Sequence, residues 1–407
     1  MKFIHAADIH LGSPFQGLKN IPANIRKRVV SSTGVAMKNL VQAAIENTVD
    51  FVCIAGDLFD NPEPDLETLN LAIDQLEILN AANIPVFLSY GNHDYLNAKI
   101  PGAIFPDNVS IFGEEVETKQ ITLVDGSTVD ITGFSYNKRA EINARIEEYP
   151  SKSNQADFQI GMLHGSMDGL KSSEAHYAPF TISQLLAKNY DYWALGHIHK
   201  RQTLNDTPVI AYAGNTQGRH INEPGPRGIS LVTINQQKQT DVQFLRTDVV
   251  EWSNVAVQAQ KGMDLQQIIS AIIQAVEPLA AQQLKLVNIN LQNSNVLTPE
   301  ILDELTSGIV LTQIQKQLDQ EVFWVYRISL KVNNNIRIFS ELDQAYWEKA
   351  TANVFNEKKV QEKLGRLMEL DFIAETYGND LELNPLKDQV ELMLKQRNAL
   401  GDERDEN

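Results

Sequence analysis

Short apolar runs that end in a small or polar residue recur through roughly the first 235 positions of the chain. These runs are "KFIHAAD", "VDFVCIAGD", "IPVFLSYGN", "FQIGMLHG" and "DYWALGH". These runs have the length of buried strands. Several of them are separated by segments in which apolar residues recur at helical spacing. In "TLNLAIDQLEILNAAN" the apolar positions share one helical face, namely Leu69, Ala72, Ile73, Leu76 and Leu79. This alternation predicts a layered α/β domain.

Other segments of the same region have the pattern of antiparallel strands. "VSIFG", "KQITLV" and "TVDITGFS" predict a hairpin, with Asp125 and Gly126 as the turn between the last two. "RGISLVTI" and "TDVQFLRT" predict a closing antiparallel pair. We therefore expect the sheet to be mixed rather than wholly parallel.

The pattern changes near residue 250. "DLQQIISAIIQAVEPLAAQ" predicts an amphipathic helix, and "LKLVNINLQ" predicts a strand with apolar and polar residues in alternation. "TPEILDELTSGI" predicts a second helix with Thr298 as its N-cap, and "VFWVYRISLKV" a second strand. Beyond these elements the sequence is charge-rich and almost wholly helical in pattern. The predicted division is residues 1–250, a small α+β domain at 251–335 and a helical region at 336–407.

Composition narrows the class of protein. The chain of 407 residues exceeds the usual size of one core, and its net charge of −17 argues against a surface that binds nucleic acid over its whole area. A local polyanion site stays open, because bound cations can reverse the field inside one cleft. Met1 leads directly into an apolar strand, the single Cys53 falls in another, and no stretch has the length of a membrane span. We expect a cytoplasmic protein without a membrane segment.

Metal-capable side chains follow several of the predicted strands. Asp8 and His10 follow the first strand, and residues i and i+2 of an extended segment point to the same side. The later strands are followed by Asp57, by Asn92 and His93, by His164, and by His197 and His199. The functional crevice of an open α/β sheet lies outside the carboxyl ends of its strands. We expect these side chains to converge on one site.

The donor types indicate the metal chemistry. Seven of these side chains are potential ligands, and they offer oxygens and imidazoles but no thiolate. Such a set suits Mn²⁺, iron or Zn²⁺ rather than a cysteine-rich structural zinc site. Seven ligands are too many for one first-row ion with an open position, whereas they suit two ions bridged by one carboxylate. The sequence therefore predicts a two-metal hydrolytic centre.

The motifs "DIH", "GDLFD", "GNHD", "LHG" and "GHIH", in this order, resemble the five motifs of the calcineurin-like metallophosphoesterase family. The resemblance implies a four-layer β-sandwich flanked by helices. It also implies a first metal ion on Asp8, His10 and His199, and Asp57 as the bridging carboxylate. The second ion would be held by Asn92, His164 and His197.

Two further residues have implied roles in this family. His93 matches a histidine that binds no metal and that protonates the leaving oxygen or steadies the transition state. Asp94 would orient His93. The mechanism expected from this set is in-line hydrolysis of a phosphodiester with two divalent ions, Mn²⁺ first and iron or zinc as alternatives.

Longer stretches indicate a branch of the family. "MKFIHAADIHLGSPFQGL", "GDLFDNPEP", "ALGHIHKRQ" and "AGNTQGRHINEPGPRG" resemble the SbcD branch of DNA repair exonucleases, particularly bacterial paralogues that carry "QGRH". This implies a DNA nuclease with a capping, DNA-binding domain at 251–335. It also implies a helical region at 336–407 that docks an SMC-like coiled-coil ATPase, and a homodimer. Asp60 departs from the pattern of some members, so the balance of exonuclease and endonuclease activity stays open.

Basic side chains after the later strands are candidates for substrate contact. Arg201, Arg219 and His220, with Lys200 and Arg227, are expected to place positive charge where a phosphodiester backbone would lie. The alternative is a scatter of solvated charges. Two other functions stay open: a phosphodiesterase or nucleotidase acting on small nucleotides, and a binding subunit with a structural metal site. The second is disfavoured because no ligand position is substituted.

Overall fold

The structure, a computed structural model, describes most of the chain. The described residues are 1–15, 18, 21–97, 105–169, 176–279, 282–331, 341–354, 356–369, 373 and 390. The fold divides into two compact units. The first comprises Met1–Phe15, Pro22–Arg219 and Gly225–Glu251, and the second comprises Gln16–Ile21, His220–Pro224 and Trp252–Asn407. The three-part division at residues 250 and 335 stays a prediction.

The first unit contains two six-stranded sheets. In spatial order the strands of sheet one are β12 (Thr240–Arg246), β11 (Gly228–Ile234), β1 (Lys2–Ala6), β2 (Phe51–Ala55), β3 (Val86–Ser89) and β4 (Val109–Ile111). The run from β1 to β4 is parallel, and β11 and β12 are added antiparallel, as the closing pair predicted. Sheet one is therefore mixed.

Sheet two is also mixed. In spatial order its strands are β5 (Glu117–Thr122), β6 (Thr128–Gly133), β7 (Phe158–His164), β8 (Tyr192–Gly196), β10 (Val209–Tyr212) and β9 (Gln202–Asp206). β5 and β6 form the predicted hairpin around Gly126, and β6, β7, β8 and β10 are parallel. The expectation that "VSIFG" joins this hairpin is wrong, because β4 hydrogen-bonds to β3 in sheet one.

The two sheets pack face to face through large apolar side chains. Phe3, Phe51 and Phe87 of sheet one meet Ile160 and Tyr192 of sheet two in a buried cluster. Two helices, α2 (Ser32–Glu46) and α3 (Leu66–Ala81), cover the outer face of sheet one, and α1 (Ala23–Val30) packs on α2. On the outer face of sheet two lie α4 (Ile182–Ala187) and a 3₁₀ turn, Arg145–Glu148. The predicted four-layer sandwich flanked by helices is confirmed.

Helix α3 illustrates how well the apolar pattern locates an element. Asp65 caps its first turn by accepting a 2.8 Å hydrogen bond from the Thr68 backbone N–H. Three of the predicted face positions, Ala72, Leu76 and Leu79, are fully buried. A fourth buried position belongs to a polar residue, Gln75, which the apolar pattern does not detect.

The second unit contains a three-stranded sheet. Its strands are β13 (Val250–Gln258), β14 (Leu284–Gln292) and β15 (Phe323–Leu330), and its helices are α5 (Leu265–Val276), α6 (Pro299–Ser307) and α7 (Ile309–Gln317). The predicted order misses β13. It also misses α7, which follows directly after Gly308, where a φ of +85° ends α6. β14 is buried along most of its length instead of alternating.

Parts of the predicted helical region are described. They contain α8 (Glu341–Val354), α9 (Glu357–Leu364) and a 3₁₀ segment, Gly365–Glu369. The remainder of residues 336–407 lies almost wholly outside the described ranges. Within the described ranges, none of the helices combines the length and the apolar content that a bilayer crossing requires.

Candidate metal centre

The candidate site lies where strands β1, β2, β3, β7 and β8 end. Two backbone hydrogen bonds tie the first two strand ends together: Asp8 N–H to Gly56 O at 3.1 Å, and His10 N–H to Asp57 O at 3.0 Å. The Asp8 carboxylate joins the two sheets by accepting the backbone N–H of His197, at 3.0 and 3.1 Å. The sandwich therefore brings strand ends from both sheets to one edge.

Four of the predicted ligands have an unusual backbone conformation. The φ angles are +51° at Asp8, +50° at His10, +52° at Asp57 and +95° at His197. Residues with a side chain rarely adopt positive φ, and strained residues of this kind cluster at functional sites. The strain turns each side chain sharply at the end of its strand, toward the shared edge.

One group of potential ligands surrounds His10. Its Nε2 lies 3.1 Å from Nε2 of His199 and 3.8 Å from Oδ2 of Asp57. Asp8, His10 and His199 each offer one atom within 4.8 Å of the others, and all three side chains are buried. Two imidazole nitrogens at this distance can share one proton or bind one cation together.

A second group surrounds Asn92. Its Oδ1 lies 3.0 Å from Nε2 of His164 and 3.2 Å from Nδ1 of His197. The Nε2 of His164 is also 3.4 Å from Oδ2 of Asp57, the same oxygen that borders the first group. Asp57 therefore lies between the two groups.

These spacings fit metal ions. Ligand atoms bonded to one ion at about 2.1 Å lie roughly 3.0 to 3.4 Å apart around an octahedral or tetrahedral centre. The closest contacts of both groups fall in this range, and the donors are oxygens and imidazole nitrogens with one carboxylate shared. The structure thus brings all seven predicted ligands together, while the ion that each one binds stays a prediction.

His164 shows how the metal-free site compensates its charge. Its Nδ1 lies 2.9 Å from the carbonyl of Ala55, which can only accept, so Nδ1 carries a proton. Burial lowers the pKa of His164, but the charge and hydrogen bond of Asp57, the charge of Asp8 and the Ala55 carbonyl together outweigh burial and raise that pKa to about 9. The same pairing holds the pKa of Asp57 well below its usual range although the carboxyl is buried. A proton on Nε2 of His164 thus occupies a metal position.

The first group has a different charge state. Burial, assisted by the charge of Arg219, lowers the pKa of His10 to about 3, so this imidazole is neutral at physiological pH. Burial raises the pKa of Asp8 to about 6. A neutral imidazole and a buried carboxylate with a raised pKa are a pair that a divalent cation would stabilise.

Glycines precede the ligands of several motifs for a steric reason. A Cβ at Gly56 would lie 2.1 Å from Nδ1 of His164, and the φ of Gly56 is +89°. A Cβ at Gly91 would lie 2.3 Å from Oδ1 of Asp57. The imidazole and the carboxylate therefore pack directly against backbone that only glycine provides.

His93 and Asp94 lie beside the second group. Nδ1 of His93 donates to the carbonyl of Asp60 at 2.9 Å, and its backbone N–H donates to Asp57 Oδ1 at 3.0 Å. The expectation that Asp94 orients the His93 ring is not met, because the Asp94 carboxylate accepts three backbone N–H groups instead. These belong to Leu58, Phe59 and Gly91. Asp94 thus ties the Asp57 loop to the turn that carries Asn92.

The predicted substrate residues have internal partners. Arg201 donates to Ser230 Oγ and lies over the Phe244 ring, at 5.3 Å from the ring centroid. The buried Arg219 lies 2.5 Å from Asp60 Oδ1.

The other basic residues divide between the two units. Arg227 donates to the His199 carbonyl at 2.6 Å, Lys200 is exposed, and His220 belongs to the second unit, 3.5 Å from Glu223. Substrate contact by any of these residues stays a prediction. The sequence predicted Arg219 and Arg227 near the site, but it did not indicate that they pair with Asp60 and with the His199 carbonyl.

Comparisons with known proteins identify the family of the chain. A family model described as calcineurin-like phosphoesterase matches residues 1–201. The chain is 36% identical over 342 residues to the uncharacterized metallophosphoesterase YhaO of Bacillus subtilis, with 81% of each chain covered. It is 29% identical over 279 residues to the DNA double-strand break repair protein Mre11 of Methanocaldococcus jannaschii, covering 65% of this chain and 71% of that protein. One component of the nuclease SbcCD of Staphylococcus epidermidis is 24% identical over 238 residues, covering 53% of this chain and 61% of that protein.

Replacing Gly56 with alanine tests the second group. The added methyl would displace the His164 ring, so we expect Gly56→Ala to lose one bound cation per chain after dialysis against Mn²⁺, measured by elemental analysis. Gly126→Ala is the matched control, because Gly126 has a φ of +86° and nothing within 4 Å of the added Cβ. Equal metal content in both variants would contradict the assignment.

The proton on His164 predicts a pH dependence. A cation can bind Nε2 only after that proton leaves, so metal affinity should rise with pH up to about 9. Calorimetric titration with Mn²⁺ at pH 7.5, in two buffers of different ionisation enthalpy, should show net proton release. The release should shrink above pH 9.5. Stability of the metal-free protein should change in the opposite sense: the His164 contribution is complete below pH 6.5 and is lost as pH rises through 9.

Proposed function

Because the chain belongs to the calcineurin-like metallophosphoesterase family, we propose that it is a metal-dependent DNA nuclease that hydrolyses phosphodiester bonds during the processing of DNA ends. The observation that carries the proposal is the convergence of two ligand groups on the shared carboxylate of Asp57. Sites with two ions bridged in this way serve phosphoryl transfer to water.

Each residue of the site has a proposed role. Asp8, His10 and His199 would hold one ion, Asn92, His164 and His197 the other, and Asp57 would bridge them. Two divalent ions at these positions, Mn²⁺ first and iron or zinc as alternatives, would activate water as the nucleophile and neutralise charge on the phosphate oxygens.

His93 is the proposed acid. Its Nδ1–H is committed to the Asp60 carbonyl, so the proton that can leave is the one on Nε2. Unlike its buried neighbours Asn92 and Asp94, the His93 residue is half-buried, which leaves it accessible to a substrate. We propose that Nε2 protonates the departing 3′ oxygen.

Several features support DNA as the substrate and a partner chain. One relative carries the name of a DNA double-strand break repair protein, and another is named as one component of a nuclease. The net charge of −17 is unfavourable for DNA binding by this chain alone. We therefore propose an SMC-like coiled-coil ATPase partner docked on the helical region 336–407, DNA contact by the domain at 251–335, a homodimer and a cytoplasmic location.

One observation favours an alternative. The guanidinium groups of Arg201 and Arg219 are engaged with internal partners, so they add little to a basic rim for a long polyanion. A phosphodiesterase or nucleotidase acting on small nucleotides would need no such rim. The two functions share the metal centre and differ in the size of the substrate.

The substrate assay separates the two functions. Purified protein with Mn²⁺ is incubated with labelled single-stranded and double-stranded DNA, and in parallel with cyclic nucleotides and nucleoside monophosphates. A nuclease digests DNA and stops on chelation of the metal. Full turnover of the small nucleotides, with no DNA digestion and no DNA binding, would overturn the proposal in favour of the alternative.

The role of His93 gives a second test. His93→Ala should lower kcat by about 100-fold or more, the usual contribution of a general acid, while Mn²⁺ content stays at the wild-type level. His176→Ala is the control, because His176 is an exposed histidine outside the site. Near wild-type turnover by His93→Ala would show that another group protonates the leaving oxygen.

A further inference from the structure

Asp60 contacts two of the site histidines through two different acceptors. Its backbone carbonyl accepts from Nδ1 of His93 at 2.9 Å, and its carboxylate Oδ1 lies 3.3 Å from Nδ1 of His10. The backbone N–H of Asp60 donates to the Leu11 carbonyl at 3.0 Å, which fixes the residue beside the His10 strand end. One residue thus borders both a proposed metal ligand and the proposed acid.

Arg219 lies behind Asp60. Its Nη1 is 2.5 Å from the same Oδ1 that faces His10, and the two side chains are only 8% and 12% exposed. A buried carboxylate paired with a guanidinium at this distance is held in one orientation. The pair is therefore a rigid support rather than a solvated surface contact.

The three imidazoles in front of this pair form a row. The rings of His93 and His10 meet edge to face at 4.7 Å between centroids, and those of His10 and His199 at 5.0 Å. A rotation of the central ring would therefore disturb both neighbours. His10 is the ring whose outer nitrogen faces the Asp60 carboxylate.

We propose that Asp60 and Arg219 are a positioning pair that orients His10 and His93 relative to each other, and that Arg219 does not contact the substrate phosphate. This inference deepens the proposed function and rests on it for the role of His93. A carboxylate facing Nδ1 of His10 favours the tautomer whose Nε2 lone pair points into the metal site.

Arg219 has a second function in this arrangement. An anionic Asp60 beside a cation site could turn inward and become a ligand, and the guanidinium holds it back. Nη2 of Arg219 also lies 3.4 Å from Nδ1 of His199, a contact in which arginine can only donate. That donation leaves the proton of a neutral His199 on Nε2, so His199 would have to change tautomer and release this contact before Nε2 could hold a cation.

A positioning pair and a phosphate contact have different consequences. Loss of a phosphate contact weakens DNA binding and lowers the salt dependence of binding by about one charge. Loss of an outer partner of a metal ligand typically lowers metal affinity or activity by about 10 to 100-fold, whatever the substrate. The two roles can therefore be separated with a small diester that reaches no rim residue.

The experiment compares Arg219→Gln, Asp60→Ala, the double variant and the control Arg145→Gln. Arg145 is an equally buried arginine, 7% exposed, whose carboxylate partners are Glu141 and Glu148. Three measurements are made: Mn²⁺ affinity by electron paramagnetic resonance, kcat and KM on bis(4-nitrophenyl) phosphate, and DNA affinity by fluorescence anisotropy in chelator.

We expect Arg219→Gln and Asp60→Ala each to lower Mn²⁺ affinity and kcat by about 10 to 100-fold, with KM and DNA affinity unchanged. The double variant should lose no more Mn²⁺ affinity and kcat than the more impaired of the two single variants, because the two residues act as a unit. Asp60→Asn keeps an oxygen facing His10 and should restore most of the affinity. Arg145→Gln should leave the results of all three measurements unchanged.

Two results would overturn the inference. The first is weaker DNA binding by Arg219→Gln, with Mn²⁺ affinity and diester kcat at wild-type values. The second is a double variant whose losses multiply. If the wild type binds Mn²⁺ but hydrolyses no diester, the proposed function fails. The Mn²⁺ affinities of the variants then decide by themselves whether Asp60 and Arg219 position His10. If Arg219→Gln does not fold, the comparison of Asp60→Ala with Asp60→Asn decides whether the inference holds.

Discussion

The buried carboxylate of Asp57 is the group on which the rest of the site depends. Its Oδ2 lies between His10 and His164, and its Oδ1 accepts the backbone N–H of His93. Burying a carboxylate is costly unless positive charge and hydrogen bonds compensate it. A protonated His164, whose pKa is raised to about 9, supplies that charge, and the same position suits a cation. The placement of one carboxylate thus joins the two groups of potential metal ligands.

The sandwich achieves this placement by ending parallel strands of two sheets at one edge. Asp57 arrives on β2 and His164 on β7, while the Asp8 carboxylate joins the two sheets through the His197 backbone N–H. Left-handed backbone at Asp8 and Asp57 turns the chain sharply, and Gly56 lets the His164 ring approach the backbone. Strain and close packing are local costs that the large apolar core between the sheets offsets.

The arginine side chains near the site have local partners, although the protein as a whole is strongly acidic. With 52 acidic and 35 basic side chains, the chain as a whole repels a polyanion. The arginines near the site are engaged internally: Arg219 with Asp60 and Arg227 with the His199 carbonyl. Positive charge close to the site therefore pairs with groups of the site itself, and the described arginines add little to a basic rim.

By itself the sequence determined most of the strands, their mixed pairing and the seven residues that converge, because apolar period and polar strand ends are local signals. The pattern misses β9, β10 and β13. Family membership followed from the same motifs. Only the tertiary structure decided that β4 joins sheet one, that Asp94 binds backbone amides, and that Arg219 reaches Asp60 from 159 residues away. Such contacts depend on how distant loops meet at a sheet edge, and no local pattern of residue types encodes that meeting.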